Sequence, residues 1–335
     1  MGERLPSPFG WFAIGVSSDY APGHAVPAKW FDQDLVVFRS EDGTLAALDA
    51  YCRHLGAHLG YGGTVSEGSI TCPFHGYRWA ADGTCLSVPY GNRMAPGVRV
   101  PTVPVVEQDG VVLLWRGSGD EPTWHMPRLF DGQRWTAPQV TRRTIRSHPQ
   151  EIMENGVDFA HFLFIHQTHI VEPKTNLRVD GHVFEFTCES APDAVEPELR
   201  LPDGVPLEGR IFLYGAGFGG NMMMPKGMPI QAMQRVYATP VGDDEVSLII
   251  MVNIRIDEGC DEPTADALMP TLSSEVFDQL DRDIVIWEHK RYLRRPALNP
   301  KERVISTYRR WYAQYYDDPG APTPAAEPLA QTAPA

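Results

Sequence analysis

The chain has little that would tie it to a membrane, to a nucleic acid or to an oxidising compartment. No window offers the roughly 18 or more uncharged apolar residues that a spanning helix needs, so no membrane partner is expected. Its 335 residues carry 29 Lys and Arg against 43 Asp and Glu, a formal charge of −14. Such a chain lacks the basic face that nucleic acid or an anionic lipid surface demands. Cysteine is scarce, and five in this length do not make a disulfide framework. Two of them enter a motif described below; Cys85, Cys188 and Cys260 read as free thiols of a reducing, cytoplasmic compartment. The start, Met1-Gly2-Glu3-Arg4-Leu5-Pro6, has no apolar core of a secretory signal, and Pro6 stands where myristoylation wants Ser or Thr. There is no internal repeat. There is also no G-x-G-x-x-G after a strand, so a dinucleotide site is not expected on this chain. What remains, 43% hydrophobic and 21% charged, suits a globular protein of about two domains.

From about Gly10 to Gly117 the pattern is β-rich. Asp34–Phe38 and Thr44–Ala50 flank the turn Ser40-Glu41-Asp42-Gly43. Asp82-Gly83 separates Tyr77–Trp79 from Cys85–Val88, and Asp109-Gly110 separates Val103–Val106 from Val111–Trp115. Asp-Gly is hairpin chemistry, and strands this short and even predict a small barrel or sandwich. Pro, Gly and Trp cluster between Gly117 and Pro138, which places a domain boundary near residues 118–140. Beyond it a helix is expected over Gln150–His161. Strands follow over Gly209–Gly215, Gln231–Thr239 and Val246–Ile256. A second helix over Thr271–Lys290 has Leu272, Val276, Leu280, Ile284 and Trp287 near helical spacing. The Pro/Ala-rich stretch Asp318–Ala335 reads as a disordered tail.

Two stretches carry chemistry. Cys52-Arg53-His54 is followed, after seventeen residues, by Cys72-Pro73-Phe74-His75. Cys52, His54, Cys72 and His75 thus form a C-x-H and C-x-x-H pair, the ligand set of a Rieske [2Fe–2S] centre. Thiolates stabilise ferric iron, and neutral imidazoles raise the potential above that of a four-Cys cluster. The rival is a Cys₂His₂ zinc site, but that normally takes two Cys from one loop and two His from another. Here each loop supplies one of each. His58 falls outside the pattern and reads as a loop histidine. Arg53 and Arg78 flank the loops and could form a basic dock for an acidic electron donor, or be ordinary solvated arginines.

The second stretch is Glu154-Asn155-Gly156-Val157-Asp158-Phe159-Ala160-His161, running on to His166. Asn155, Asp158 and His161 are three apart and would share one helical stripe. His161 and His166 are about 140° apart on a regular helix and converge on one metal only if the helix ends or kinks between them. Two His and a carboxylate make the facial triad of non-haem Fe(II) oxygenases. With the Cys/His quartet upstream, the chain resembles the large catalytic subunits of the Rieske non-haem iron oxygenases, from Gly10-Trp11-Phe12 to about Asp317. Glu154-Asn155-Gly156, Asp283-Ile284-Val285-Ile286-Trp287 and Arg309-Arg310-Trp311-Tyr312-Ala313-Gln314-Tyr315-Tyr316 are similar to the 3-ketosteroid 9α-hydroxylase oxygenase components and cholesterol 7-desaturases.

The resemblance implies an α+β fold. An all-β Rieske domain would occupy residues 8–118, a helix-grip catalytic domain (an antiparallel sheet around a long helix) 119–317, and a disordered tail 318–335. Iron would be held by His161, His166 and a carboxylate among Asp278, Asp281 and Asp283. Asp283 is preferred because it matches the family's D-x-x-I-W pattern, with Asp281 as the alternative. Asp158, with Asn155 beside it, would be catalytic, Asp158 bridging a cluster histidine of a neighbouring subunit to an iron histidine in a head-to-tail homotrimer. A separate flavin reductase, with or without a ferredoxin, would bring electrons from NAD(P)H, and O₂ would be activated beside a small hydrophobic substrate. Mono-oxygenation of a steroid-like or polycyclic compound is expected. Desaturation, dealkylation or oxidative cyclisation of a secondary-metabolite scaffold is the alternative. Met222, Met223, Met224, Met228 and Met233 are expected near the cavity, where methionine suits an adaptable apolar wall. A bare Rieske electron carrier is the reading of another class, and the roughly 200 residues beyond the first domain speak against it.

Overall fold

The computed structural model describes residues 5–91, 97–119, 121–130, 132–166, 170–171, 176–190 and 207–318. The N-terminal part runs through β1 (Gly10–Val16), β2 (His24–Trp30), β3 (Gln33–Arg39), β4 (Leu45–Asp49), β5 (Thr64–Ser66), β6 (Ser69–Thr71), β7 (Arg78–Ala80), β8 (Cys85–Ser87), β9 (Thr102–Val103), β10 (Val105–Gln108) and β11 (Val111–Arg116). These form three sheets, in the orders β1-β11-β10, β2-β3-β4-β9 and β5-β6-β7-β8. The expected Asp-Gly turns are present. Gly43, Gly83 and Gly110 all take positive φ, and Asp42 and Asp82 accept from the backbone N–H two residues on, at 2.9 Å each.

The second part adds β12 (Arg134–Trp135), β13 (Gln139–Arg146), α1 (Pro149–Glu154), α2 (Phe159–Ile165), β14 (Ile170–Val171), β15 (Arg178–Asp180), β16 (Val183–Ser190), β17 (Leu207–Tyr214), β18 (Phe218–Pro225), β19 (Ala232–Gly242), β20 (Glu245–Ile256), α3 (Glu262–His289) and α4 (Arg303–Tyr312). Its strands make one antiparallel sheet, ordered β12-β20-β19-β18-β17-β16-β14, with β13 also on β20 and β15 also on β16. Strand alternation gives this sheet two apolar faces. On one, α3 packs through Ala265, Met269, Val276, Leu280 and Trp287. On the other, Phe212, Tyr214, Phe218, Tyr237 and Met251 pack against Trp11, Leu113 and Trp115 of the first part. Each fully buried aromatic there contributes roughly 2–3 kcal/mol. Polar ties reinforce that seam. Thr239 Oγ1 donates to the Ala13 carbonyl at 2.6 Å, and Phe31 N–H donates to the Pro240 carbonyl at 2.6 Å. Among the described residues no helix is long and apolar enough to cross a membrane.

Two expectations need correction, both of helix bounds. The helix over Gln150–His161 is broken: α1 ends at Glu154, a 3₁₀ turn covers Asn155–Val157, and Asp158 is extended (φ −91°, ψ 91°). Asn155, Asp158 and His161 therefore do not share a helical stripe. The cause is local, because the Asp158 carboxylate caps α2 by accepting from Ala160 N–H at 3.1 Å and His161 N–H at 3.3 Å. The second helix begins nine residues early, at Glu262, capped by Asp261 and running through Pro270. One lost backbone donor does not end a helix whose buried stripe continues on both sides. Of the expected tail, residues 319–335 lie outside the described residues, while Asp318 accepts from Ser118 N–H at 2.8 Å.

A substitution tests the tight β7–β8 turn. At Gly83 a Cβ would lie 1.9 Å from the Val100 carbonyl oxygen, on a backbone at φ +78°. Gly83→Ala should lower stability by about 2–4 kcal/mol, read as a fall in the urea midpoint at unchanged m-value.

Candidate functional site

The Cys/His quartet sits on two loops built to one plan. Cys52 N–H donates to the Ala57 carbonyl and Gly56 N–H to the Cys52 carbonyl, both at 2.9 Å. Cys72 N–H donates to the Tyr77 carbonyl at 2.8 Å and Gly76 N–H to the Cys72 carbonyl at 3.0 Å. Each loop turns on a left-handed glycine, Gly56 at φ 74° and Gly76 at φ 69°. Both thiols are buried, and the His54 and His75 rings meet edge to face with centroids 4.7 Å apart. Trp79 Nε1–H donates to Cys52 Sγ at 3.3 Å. Burial raises the pKa of the Cys52 thiol; Trp79 and the His54 backbone N–H oppose the shift, while the Cys72 thiol beside it adds to it. The His54 Nδ1 atom is buried with no hydrogen-bond partner among the described residues, as an imidazole nitrogen meant for a metal would be.

Among the described residues, the only group of three or more His, Cys, Asp or Glu donors whose atoms all lie within 4.8 Å of one another is elsewhere. The quartet does not gather that tightly. That disfavours one tetrahedral zinc, whose ligands must crowd a single ion, and suits a centre spread over two irons. Arg78, one half of the expected basic dock, is held by Glu67 at 2.9 Å and by Ser69; Arg53 is exposed.

The compact group is His161, His166 and Asp283. The two histidines flank α2, His161 in its first turn and His166 at its C-cap. The helix does end between them, and their ring centroids are 5.1 Å apart. Asp283 arrives on the buried stripe of α3, with both carboxylate oxygens 3.2 Å from His166 Nε2. Asp281 is exposed and engaged by Arg143 at 2.9 Å, and Asp278 is exposed, so neither joins the group.

His161 Nδ1–H donates to the Asp158 carbonyl, which leaves Nε2 as the lone-pair nitrogen. Burial lowers the pKa of His161, partly offset by Asp283, so the ring is neutral near pH 7, the state that binds metal. Asn155 Nδ2 lies 3.1 Å from that Nε2, and Trp287 Nε1–H donates to Asn155 Oδ1 at 3.4 Å, which fixes the amide's orientation. Trp287 and Trp79 acquire roles that the sequence reading had not given them. Helix α4 props α1: Arg309 holds Glu154 through bonds of 2.5 and 2.7 Å, and Tyr308 OH donates to the Gln150 carbonyl at 2.9 Å.

The three donors open onto a cavity walled by Ile152, Ile211, Leu213, Val236, Val276 and Leu280. Of the expected methionines only Met223 lines it. Met222 and Met233 lie on the opposite face of the sheet, because strand alternation splits the run. The wall also holds polar groups that the sequence reading missed. They are Glu208, Glu275 and Gln279, with an amide pair in which Asn221 Nδ2 donates to Gln234 Oε1 at 2.9 Å.

A Rieske [2Fe–2S] domain family matches residues 10–105, and the 3-ketosteroid 9α-hydroxylase C-terminal domain family matches residues 115–316. The chain belongs to the Rieske non-haem iron oxygenases. It is 31% identical over 339 residues to cholesterol 7-desaturase of Bombyx mori, covering 95% of this chain and 72% of that protein. It is equally 31% identical over 320 residues to a 3-ketosteroid-9-alpha-monooxygenase oxygenase component of Rhodococcus rhodochrous, covering 92% and 84%. In fold it is similar to dicamba monooxygenase bound to 3,6-dichlorosalicylic acid, with a TM-score of 0.75 at 21% identity, over 92% of this chain and 96% of that one. As a Rieske oxygenase the chain is a terminal component, related to steroid monooxygenase oxygenase subunits.

Cys188 also lines this cavity, and burial pushes its thiol up to about 11. At pH 8 its thiolate fraction should be about 0.1%, so iodoacetamide should label native Cys188 roughly two hundredfold more slowly than a free thiol. Peptide mapping by mass checks this, and unfolding in urea should abolish the protection.

Proposed function

We propose that Cys52, His54, Cys72 and His75 hold the [2Fe–2S] cluster within residues 8–118, and that His161, His166 and Asp283 hold one Fe(II) within 119–317. The convergence of those last three donors on a cavity, behind a separate Rieske domain, carries this reading. Iron bound there would supply O₂ activation beside the substrate. The chain's own residues do the rest. His166 and Asp283, both buried, keep bulk water from one side of the triad. The Asp158 carbonyl holds the His161 ring in one tautomer, so its Nε2 is presented without a proton. Asn155, fixed by Trp287, points an amide N–H donor at the same place, suited to an oxygen carrying developing negative charge. The apolar walls would position a hydrophobic substrate.

The substrate we infer is a polycyclic, steroid-like compound, mono-oxygenated on an unactivated carbon. The relatives named for 3-ketosteroids and for cholesterol support it, and the apolar wall is consistent with it. Desaturation is the second reading, favoured by the desaturase among those relatives. Electrons would come from NAD(P)H through a partner flavin reductase, with or without a ferredoxin, in the cytoplasm.

Two exposed apolar patches support a homotrimer. Exposed Leu55 and Phe74 sit on the two cluster loops and exposed Tyr90 meets the His75 ring, while exposed Leu163 and Phe164 lie on α2 and Val285 and Ile286 near the end of α3. Head-to-tail docking of one patch on the other would cover both and bring a neighbour's cluster histidine toward Asp158.

The purified enzyme should contain three irons per chain, where a bare electron carrier would contain two. His161→Ala should lose one iron and essentially all turnover while its Rieske absorbance and EPR signal remain; full activity in that variant would sink the iron assignment. Asp158→Asn should keep all three irons yet slow oxidation of the pre-reduced cluster in single turnover by on the order of 10²-fold, measured by stopped flow with substrate and O₂ present.

A further inference from the structure

Behind the catalytic sheet lies a second cleft, of about 390 Å³, at the seam between the two parts of the chain. Strand β19 serves both sides. Gln234 and Val236 line the catalytic cavity, and Arg235 between them lines the cleft. Arg235 is 1% exposed, yet everything that holds its guanidinium is neutral. Nη1 donates to the Asp109 carbonyl at 2.7 Å and to Tyr237 OH at 3.5 Å, Nη2 donates to Asn253 Oδ1 at 2.7 Å, and the Phe130 ring lies 4.8 Å away. The Asp109 carboxylate is turned elsewhere, accepting from Leu129 N–H at 2.9 Å and from Gln108. The neighbouring Arg134 is paired with Glu262 at 3.2 Å. Among the described residues Arg235 has no ion-pair partner.

Two donors in this cleft are orphaned. Arg235 Nε–H and Trp135 Nε1–H are both buried without a hydrogen-bond partner, and both residues line the cleft. A structural role as a tie between the β10–β11 turn and the catalytic sheet explains the two Nη bonds. It explains neither the missing counter-charge nor the two idle N–H groups. Burying a cation alone is costly, and so is each unmade hydrogen bond. A water can satisfy a donor but not the charge; a small oxyanion does both, through charge-assisted bonds.

We infer that this cleft binds a small oxyanion, a carboxylate or a phosphate, between Arg235 and Trp135. The ligand would lie between the β10–β11 turn and β19, on the far side of the sheet from the triad, and would strengthen the docking of the two parts.

The test uses the iron-loaded holoenzyme, with formate, inorganic phosphate or chloride added at matched ionic strength. Thermal unfolding should show a saturable rise in Tm with formate or with phosphate and none with chloride, and the anion effective at the lower concentration names the ligand class. Trp135→Phe keeps the ring and removes the donor. It should weaken the apparent affinity about tenfold, the scale of one charge-assisted hydrogen bond, with iron content and Rieske spectrum unchanged. Arg235→Gln should abolish the effect. A Tm rise equally large in chloride, or a Trp135→Phe protein that binds formate and phosphate as tightly as wild type, would overturn the assignment even if Arg235→Gln fails to fold.

Discussion

The candidate iron centre depends on how the backbone breaks at Asp158. One residue acts twice there: its carboxylate caps α2 and its carbonyl holds the His161 ring. Had α1 continued as one helix through His161, the following segment would leave in another direction, and His166 would not come to the C-terminal end of a short α2 facing Asp283. The cap thus sets the direction in which α2 carries the two histidines, and the carbonyl bond decides which imidazole nitrogen is presented. Both are local interactions made by a residue that is itself proposed as the electron bridge. A substitution at Asp158 must therefore be judged with the iron content, so that a lost bridge is told from a lost cap.

The break is held from behind by a buried network. Arg309 on α4 grips Glu154 at the end of α1, and Tyr308 and Tyr316 both bond Gln150 in its first turn. Burial raises the pKa of Glu154, and Arg309 works against that shift. A buried pair of this kind contributes little net stability against an apolar substitute, but removing one partner strands the other. Its value here is geometric. It fixes the last turn before Asn155, while Trp287 on α3 fixes the Asn155 side chain. Helices α3 and α4, with Tyr316 just beyond α4, converge on one short segment, which gives the aromatic stretch near the end of the chain a physical role.

What was legible in the sequence was what is local in the chain. Each cluster loop carries its Cys and His two or three residues apart, so spacing alone exposed the quartet, and the Asp-Gly turns marked the hairpins around it. His161 and His166 were visible for the same reason. Asp283, more than a hundred residues away, is reached from the sequence only through the family's D-x-x-I-W pattern. The structure supplies the physical reason for preferring it, since it lies on the buried stripe of α3 while Asp281 and Asp278 point outward. The break within residues 150–161 was not legible because Asn155 and Asp158 suit a helical stripe as well as they suit caps. Only the tertiary contacts of α1 and α2 decide between them. The polar groups that the strands bring to the cavity wall, Glu208, Asn221 and Gln234, were hidden because strand phase is not written in the residues. Met222 and Met223 look alike in sequence and face opposite sides of one sheet.

That phase bears on the substrate. A wall of Ile152, Ile211, Leu213, Val236, Val276 and Leu280 alone would suit any hydrocarbon, and an apolar pocket discriminates weakly between compounds differing by a methylene. The Asn221–Gln234 pair changes this, because Asn221 Oδ1 is buried without a hydrogen-bond partner. A ligand that leaves that amide unmet loses affinity, whereas one carrying a single polar substituent at the right distance from the oxidised carbon gains both affinity and register. The same β19 strand that offers Gln234 to the cavity buries Arg235 behind it. The polar group at 234 therefore stands beside a side chain, that of Arg235, whose guanidinium is tied to the carbonyl of the Asp109 turn. The wall of the cavity and the seam between the two parts of the chain thus meet in adjacent residues of one strand.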